Sequence, residues 1–215
     1  MKNKVLFFTI ISLFLLIGGT GCEKEDFPYL DIGPYSDQNM ISGKSHDIAF
    51  EFYLLNEKGE TSTVFNEGEN ITFVFAVKNG TKSNVVFDDF LRQGFFYVYD
   101  SESNEFIDKP YHGVWPLMVY TPHTYVLTPD STRVFQTDWL ATLPQYVYYP
   151  MSNNGFELAR SPLPIGEYYT TFEFNAKYKK PKDEFEACIH TFYDELKGVE
   201  YIVNGGKMTI HFKVQ

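Results

Sequence analysis

"GENITFVFAVKNG", residues 68–80, decides the fold class. Ile71, Phe73, Phe75 and Val77 occupy alternate positions, so an extended chain places all four on one face. The run stops at Asn79-Gly80, a dipeptide that favours a turn because both residues tolerate a positive φ. The same alternation recurs along the chain. Ile48, Phe50, Phe52 and Leu54 form one row, followed by the turn-like "NEKGE". Tyr168, Thr170, Phe172 and Phe174 form a second, and Met208, Ile210, Phe212 and Val214 a third. "FFYVYDSESNEFID", residues 95–108, reads as strand, polar turn and strand. Short alternating strands separated by turns predict an all-β fold, an immunoglobulin-like antiparallel β-sandwich over residues 46–215.

Aromatic residues supply the core of such a sandwich. Phe, Tyr and Trp make up 18% of the 215 residues, and aromatic side chains suit a pleated, half-buried surface. One segment departs from the two-residue period. In "PKDEFEACIHTFYDELKG", Phe185, Cys188, Ile189, Phe192 and Leu196 share a helical face. Asp183 with Glu186 has capping-box spacing, and Gly198 suits the position after a helix end. This predicts one inserted α-helix over 184–197, before the last strand. Residues 140–164 carry four prolines and little periodicity, and read as a long loop.

The N-terminus has a different logic. Lys2 and Lys4 precede an apolar run from Val5 to Ile17, then the small residues Gly18, Gly19, Thr20 and Gly21. About 13 apolar residues fall short of the ~20 that a membrane-spanning helix needs. With Cys22 next in line, the stretch resembles a bacterial lipoprotein signal of the looser Bacteroidota type. That resemblance implies a signal peptide over 1–21, cleavage before Cys22, and lipidation, including palmitate, on Cys22. Residues 22–45, with Pro28, Gly33, Pro34 and Gly43, read as a lipidated flexible tether. "CEKED" also resembles a Bacteroidota surface-export signal, which implies an outer-membrane, lipid-anchored, surface-exposed domain.

Composition narrows the partners. The formal net charge is −10, and losing Lys2 and Lys4 with the signal makes it −12. A surface so acidic repels nucleic acid, which is excluded as a partner, and leaves the lipid on Cys22 as the contact with membrane. Cys188 alone remains once Cys22 is lipidated, so the fold rests on burial rather than on a disulfide.

The strand units carry a further likeness. "FNEGENITFVFAVKNGTKSNVVF", "FFYVYDSESNEFID", "LTPDSTRVFQTDW" and "LPIGEYYTTFEF" together resemble the BsuPI-type intracellular proteinase inhibitor family. The resemblance covers roughly residues 48–175 and the last strand. It implies an immunoglobulin-like domain, and an exposed loop that enters a protease cleft. Asp130-Ser131 stands where that family has Gly-Glu, and the 140–164 loop and the helical insertion are extra.

Chemistry-bearing candidates are few. Cys188 sits on the apolar helix face as a buried small hydrophobe. His190 and Asp194 have i,i+4 spacing, but a zinc site needs three or four ligands, and no HExxH or CxxC pattern joins them. Asp100, Glu102 and Asn104 imitate the start of a calcium loop, yet Glu105 replaces its glycine. No metal and no cofactor are therefore expected. Without GxSxG, P-loop or GxGxxG elements, a non-enzymatic chain is expected, with an unrecognised glycan-processing enzyme as an alternative. Asp130-Ser131-Thr132 resembles the O-glycosylation motif of exported Bacteroidota proteins, with Ser131 as acceptor. Asn70 and Asn79 match the N-x-Ser/Thr pattern, but the cell type that the lipoprotein signal implies is not expected to carry that machinery. Finally, Tyr111, Trp115, Tyr120, Tyr146, Tyr148 and Tyr149 cluster near turns and prolines, as a candidate aromatic patch for a protein or glycan ligand. Together these features predict a cell-surface lipoprotein that works as a binding or adhesion module, with protease inhibition as the alternative implied by the family likeness.

Overall fold

A computed structural model describes residues 30–88, 96–108, 110, 124–139, 162–181 and 196–215. Twelve strands appear among these residues: β1 (Asp31–Ile32), β2 (Met40–Ser45), β3 (Ile48–Leu55), β4 (Val64–Phe65), β5 (Ile71–Asn79), β6 (Val85–Phe87), β7 (Tyr97–Asp100), β8 (Phe106–Asp108), β9 (Tyr125–Leu127), β10 (Thr132–Trp139), β11 (Gly166–Lys179) and β12 (Glu200–Val214). They form two sheets. The smaller is fully antiparallel in the order β10-β5-β3-β2. The larger is built on the long antiparallel pair β11 and β12. Beyond β11 lie β7 with β8 against one half, and β6 with β9 against the other. Beyond β12, both β1 and β4 pair in parallel.

The alternating rows meet between the sheets. Ile48, Phe50, Phe52 and Leu54 of β3 are buried, as are Ile71, Phe73, Phe75 and Val77 of β5. Opposite them stand Tyr168, Thr170, Phe172 and Phe174 of β11, and Met208, Ile210, Phe212 and Val214 of β12. The rings interlock edge to face. Phe172 lies 4.8 Å from both Phe52 and Phe75, and Phe174 lies 4.9 Å from Phe75 and 5.3 Å from Phe50, all centroid to centroid. Such T-shaped pairs set the quadrupole edge of one ring on the face of another, adding about 0.5–1.5 kcal/mol each beyond area burial.

Two findings correct the sequence reading of the N-terminal segment. Residues 31–32 and 40–45, expected within the tether over 22–45, form β1 and β2 of the sandwich. Gly43, read there as a mark of flexibility, is needed for packing instead. It pairs with Phe50, whose ring lies over it, and a Cβ at Gly43 would run into that ring. Gly205 flanks the same ring, with a would-be Cβ 3.1 Å from Phe50 and 2.8 Å from Phe174. Gly205 is the extra residue of a bulge where the β11–β12 register shifts between Phe174 and Asn175.

The helix expected over 184–197 falls almost wholly outside the described residues. Its last two, Leu196 and Lys197, are described and lie in no helix. Leu196 is buried beside Val86 and Val126, on the side of β6 and β9 that faces away from the main core.

Asn79 ties the sheets together where the chain crosses between them. It ends β5 in the smaller sheet, fully buried, just before the chain passes to β6 in the larger. Its Nδ2 donates to the carbonyls of Ser83 and Leu127, both at 2.9 Å, and its Oδ1 accepts from Thr81 N at 2.9 Å. Its backbone bonds the second crossing, from β9 to β10, through Ser131 O at 3.0 Å and Asp130 N at 2.8 Å. Gly80 N donates to Asp47 O, drawing in the β2–β3 turn at 2.8 Å. On that turn, His46 O accepts from the Tyr178 hydroxyl at 3.2 Å, and Tyr178 stacks on Tyr201 at 5.1 Å.

Asn79→Ala strips the donors from two carbonyls and is expected to cost about 3 kcal/mol in urea unfolding. Asn79→Asp, which cannot donate to either carbonyl, should cost more; a loss under about 0.5 kcal/mol for either variant would refute the role assigned to Asn79. Burial, helped by the neighbouring Tyr201 and Asp47, pushes the Tyr178 hydroxyl up to about 12. The folded chain thus keeps this proton to higher pH than the unfolded chain, whose tyrosines titrate near ~10. Stability from Tyr178 is complete below about pH 10 and is lost as the pH rises toward 12. Unfolding midpoints measured across that window should fall less steeply for Tyr178→Phe.

Candidate functional site

The outward residues of the larger sheet form a ladder of rings. Inward positions of β11 and β12 are apolar, so period two sends Glu167, Tyr169, Thr171 and Glu173 of β11 to the opposite face. Register then sets each against an outward residue of β12: Glu167 with Lys213, Tyr169 with His211, Thr171 with Thr209, Glu173 with Lys207. On the other side, Tyr99 of β7 pairs with Tyr169, and Phe106 of β8 pairs with Tyr99. One row thus crosses four strands. Phe106 and Tyr99 meet at 5.7 Å, Tyr99 and Tyr169 stack at 5.0 Å, and Tyr169 and His211 lie 5.6 Å apart. Tyr97 adds a fifth ring, 5.4 Å from Phe106.

The ladder is open to solvent at one end and braced along its length. Phe106 is 53% exposed, and neighbouring Ile107 is 43% exposed. Tyr99 and Tyr169 are half-buried, and burial beside Tyr169 and Tyr97 raises the Tyr99 phenol above its ordinary range. The Tyr169 hydroxyl donates to Asn104 Oδ1 at 3.4 Å. His211 Nε2 stands 3.2 Å from Asp31 Oδ1, so β1 closes the far end. Thr171 Oγ1 donates to Met208 O at 2.8 Å and lies 3.1 Å from Thr209 Oγ1. Tyr99 and Tyr169 are braced aromatic groups with polar tips, and tyrosine is enriched at recognition surfaces.

The β7–β8 turn that presents Phe106 is the "DSESNE" segment. Asp100 Oδ1 accepts from Ser103 N, Ser103 Oγ and Glu102 N at 2.7, 2.9 and 3.0 Å. The Ser103 bonds hold the Asp100 carboxyl below the usual carboxylate range. A carboxylate oxygen saturated by its own turn serves the hairpin, and Asn104 completes the turn with a φ of 58°.

Two clefts bounded by described residues lie away from the ladder. One, of about 490 Å³, is bounded by Leu30, Ser45, His46, Ile202, Asn204 and the Gly205-Gly206 bulge. There Ser45 Oγ and His46 Nδ1 are 3.1 Å apart. The other, of about 540 Å³, includes Glu57, Asn70, Thr72 and Asp138. Its acids are occupied locally: Glu57 Oε1 accepts from Asn70 N, and Asp138 Oδ1 from Thr72 Oγ1.

Among the sequence candidates, Cys22, Tyr111, Trp115, Tyr120, Tyr146, Tyr148 and Tyr149 lie outside the described residues, as do Cys188, His190 and Asp194. Ser131 is half-buried, and its hydroxyl donates to Thr128 O at 2.7 Å. Asn79 is buried with both ends of its amide engaged, so a glycan there would require the sheet crossing to open. Among the described residues, no group of three His, Cys, Asp or Glu side chains is placed to hold a metal ion. No helix among them is long and apolar enough to cross a membrane. The ladder residues Tyr97, Tyr99, Phe106, Tyr169 and His211 escaped the sequence reading. Their signal was present, as aromatic residues at the solvent-facing positions of alternating strands.

No family model matches the chain, and no curated protein does. Among solved structures, the chain is similar to the ASH/PapD-like domain of human CEP192 (PapD-like domain 7), at 11% identity and a TM-score of 0.32, over 86% of this chain and 92% of that one.

Ladder residues should matter little to folding. Phe106→Ala loses a half-exposed ring and is expected to cost at most about 1 kcal/mol in urea unfolding. The buried Phe172→Ala should cost about 3–5 kcal/mol. Equal losses would mean that Phe106 is a core residue.

Proposed function

We propose that this chain is a non-enzymatic, lipid-anchored binding module of the outer membrane, an immunoglobulin-like sandwich that captures a glycan or protein ligand at the cell surface. The observation that carries the binding assignment is the ladder Phe106–Tyr99–Tyr169–His211, in register across four strands with its rings turned outward. Large aromatic groups fixed by their neighbours lose little side-chain freedom on binding, so more of the contact energy appears as affinity. The two-sheet plan, antiparallel except where β1 and β4 join β12, with a chain that crosses between sheets at Asn79, supports the immunoglobulin-like reading. The anchor rests on the sequence: a short apolar signal, small residues, then Cys22 and an acidic stretch.

Anchor and binding face are tested separately. Cells expressing the full chain should incorporate labelled palmitate into it and retain it in the membrane fraction. Cys22→Ala should abolish both, and persistence of either would remove the anchor. Cells displaying the full chain are then laid on arrays of immobilised glycans and proteins. The Tyr99→Ala/Tyr169→Ala pair should lose the binding shown by the parent, whereas unchanged binding would dismiss the ladder as the binding face. A protease panel run with the same protein decides the inhibitory activity that the BsuPI resemblance implies.

A further inference from the structure

The chain enters the sandwich through a stretch that is fastened at one end only. We infer that residues 30–39 are a strap, which detaches from β12 as a unit while both sheets stay folded. Its release lengthens the connection between the segment before Leu30 and the domain. That role at the membrane rests on the Cys22 anchor of the proposed function; the detachment itself does not.

The fastenings are few and close together. β1 pairs with β12 at two positions, Asp31 with Thr209 and Ile32 with Ile210. Thr209 N donates to Leu30 O at 2.7 Å, and Leu30 packs against the margin of the core. Ile32 is the only buried side chain among residues 30–39. Asp31 Oδ1 reaches His211 Nε2 at 3.2 Å, but these side chains are 70% and 42% exposed, where water competes for the same groups.

The rest of the stretch holds to itself. Ser36 N donates to Gly33 O at 2.9 Å, and Ser36 Oγ lies 2.6 Å from Gln38 O. Tyr35, in the same turn, is 85% exposed. Past this turn the attachment changes character. β2 pairs with β3 from Met40 to Ser45, buries Ile41, and seats Gly43 under the Phe50 ring. Opening therefore stops at Met40. On the other side, β12 keeps β11 along its whole length when β1 leaves, so neither sheet depends on the strap.

The balance of forces favours a populated open state. Residues 30–39 regain backbone freedom on release, set against one buried aliphatic side chain and a few hydrogen bonds. A segment balanced in this way opens locally, at a smaller cost than global unfolding. Once free, it adds up to about 35 Å of chain.

Two neighbouring amides of β12 report the strap and the core separately. Thr209 N–H points to β1, whereas alternation turns the Ile210 N–H toward β11. In hydrogen exchange on the full-length protein in detergent, Thr209 should exchange roughly a hundredfold faster than Ile210, with little dependence on low urea. A cross-link can close the strap. Gly33 has no positive φ, and a Cβ on it would lie 3.3 Å from His211 Cβ, close to the ~3.5–4.5 Å of a disulfide. The Gly33→Cys/His211→Cys pair, in a Cys188→Ala background, should slow Thr209 to the rate of Ile210 when oxidised and free it again when reduced. Both states belong to one protein, so a folding defect in the variant cannot imitate the difference. Equal exchange at Thr209 and Ile210 in the parent, failure of the pair to cross-link, or no slowing of Thr209 on oxidation would each overturn the inference. If exchange behaves as stated but the chain takes up no labelled palmitate, the strap stands and its role at the membrane falls.

Discussion

Everything in this sandwich depends on a polar knot at its corner. A two-sheet fold must pass its chain from one sheet to the other, and each passage strands backbone groups away from a ladder of hydrogen bonds. Asn79 answers that need at two crossings together. Its amide satisfies the carbonyls of Ser83 and Leu127 while its backbone pairs with Asp130 and Ser131. Only a side chain with both a donor and an acceptor on one planar group can do this at such short range. With the crossings held, β5 runs through the middle of the smaller sheet and offers Phe73 and Phe75 to the larger one.

The phenylalanine core in turn prescribes the outer surface. Once Phe172 and Phe174 lock against Phe50, Phe52 and Phe75, the rotation of β11 is settled, and Tyr169 and Thr171 must point outward. A slip of one residue between β11 and β12 would turn both rows over and break the ladder and the core together. The bulge at Gly205 lies beyond the ladder on β12, so the register that aligns Tyr169 with His211 is undisturbed. Site and core are two faces of one alignment.

The alternating rows were readable because each is a local pattern, and every position in the four rows is buried where periodicity places it. Other features are not local. β1 and β2 had no legible signature: two residues with a proline and glycines nearby, and a strand whose Gly43 is explained only by a ring on β3. The ladder was hidden for a related reason. Tyr99 and Tyr169 are 70 positions apart in the chain, and only cross-strand register makes them neighbours. A solvent-facing tyrosine in one strand is unremarked; the same residue at matching positions of adjacent strands is a surface. Asn79 shows the converse, since a residue legible as a turn former is in fact a buried tie between distant segments.

The place where the chain enters the fold carries a mechanical consequence. β1 is two residues long, pairs in parallel with β12, and holds Asp31 beside His211. Everything N-terminal to Leu30 therefore joins the sandwich at the margin of the ring ladder. Tension arriving along that segment loads the β1–β12 pairing in shear before it reaches the phenylalanine core. A ligand seated on the ladder would rest beside the strand through which the pull is delivered, so force and occupancy would meet at the same few hydrogen bonds.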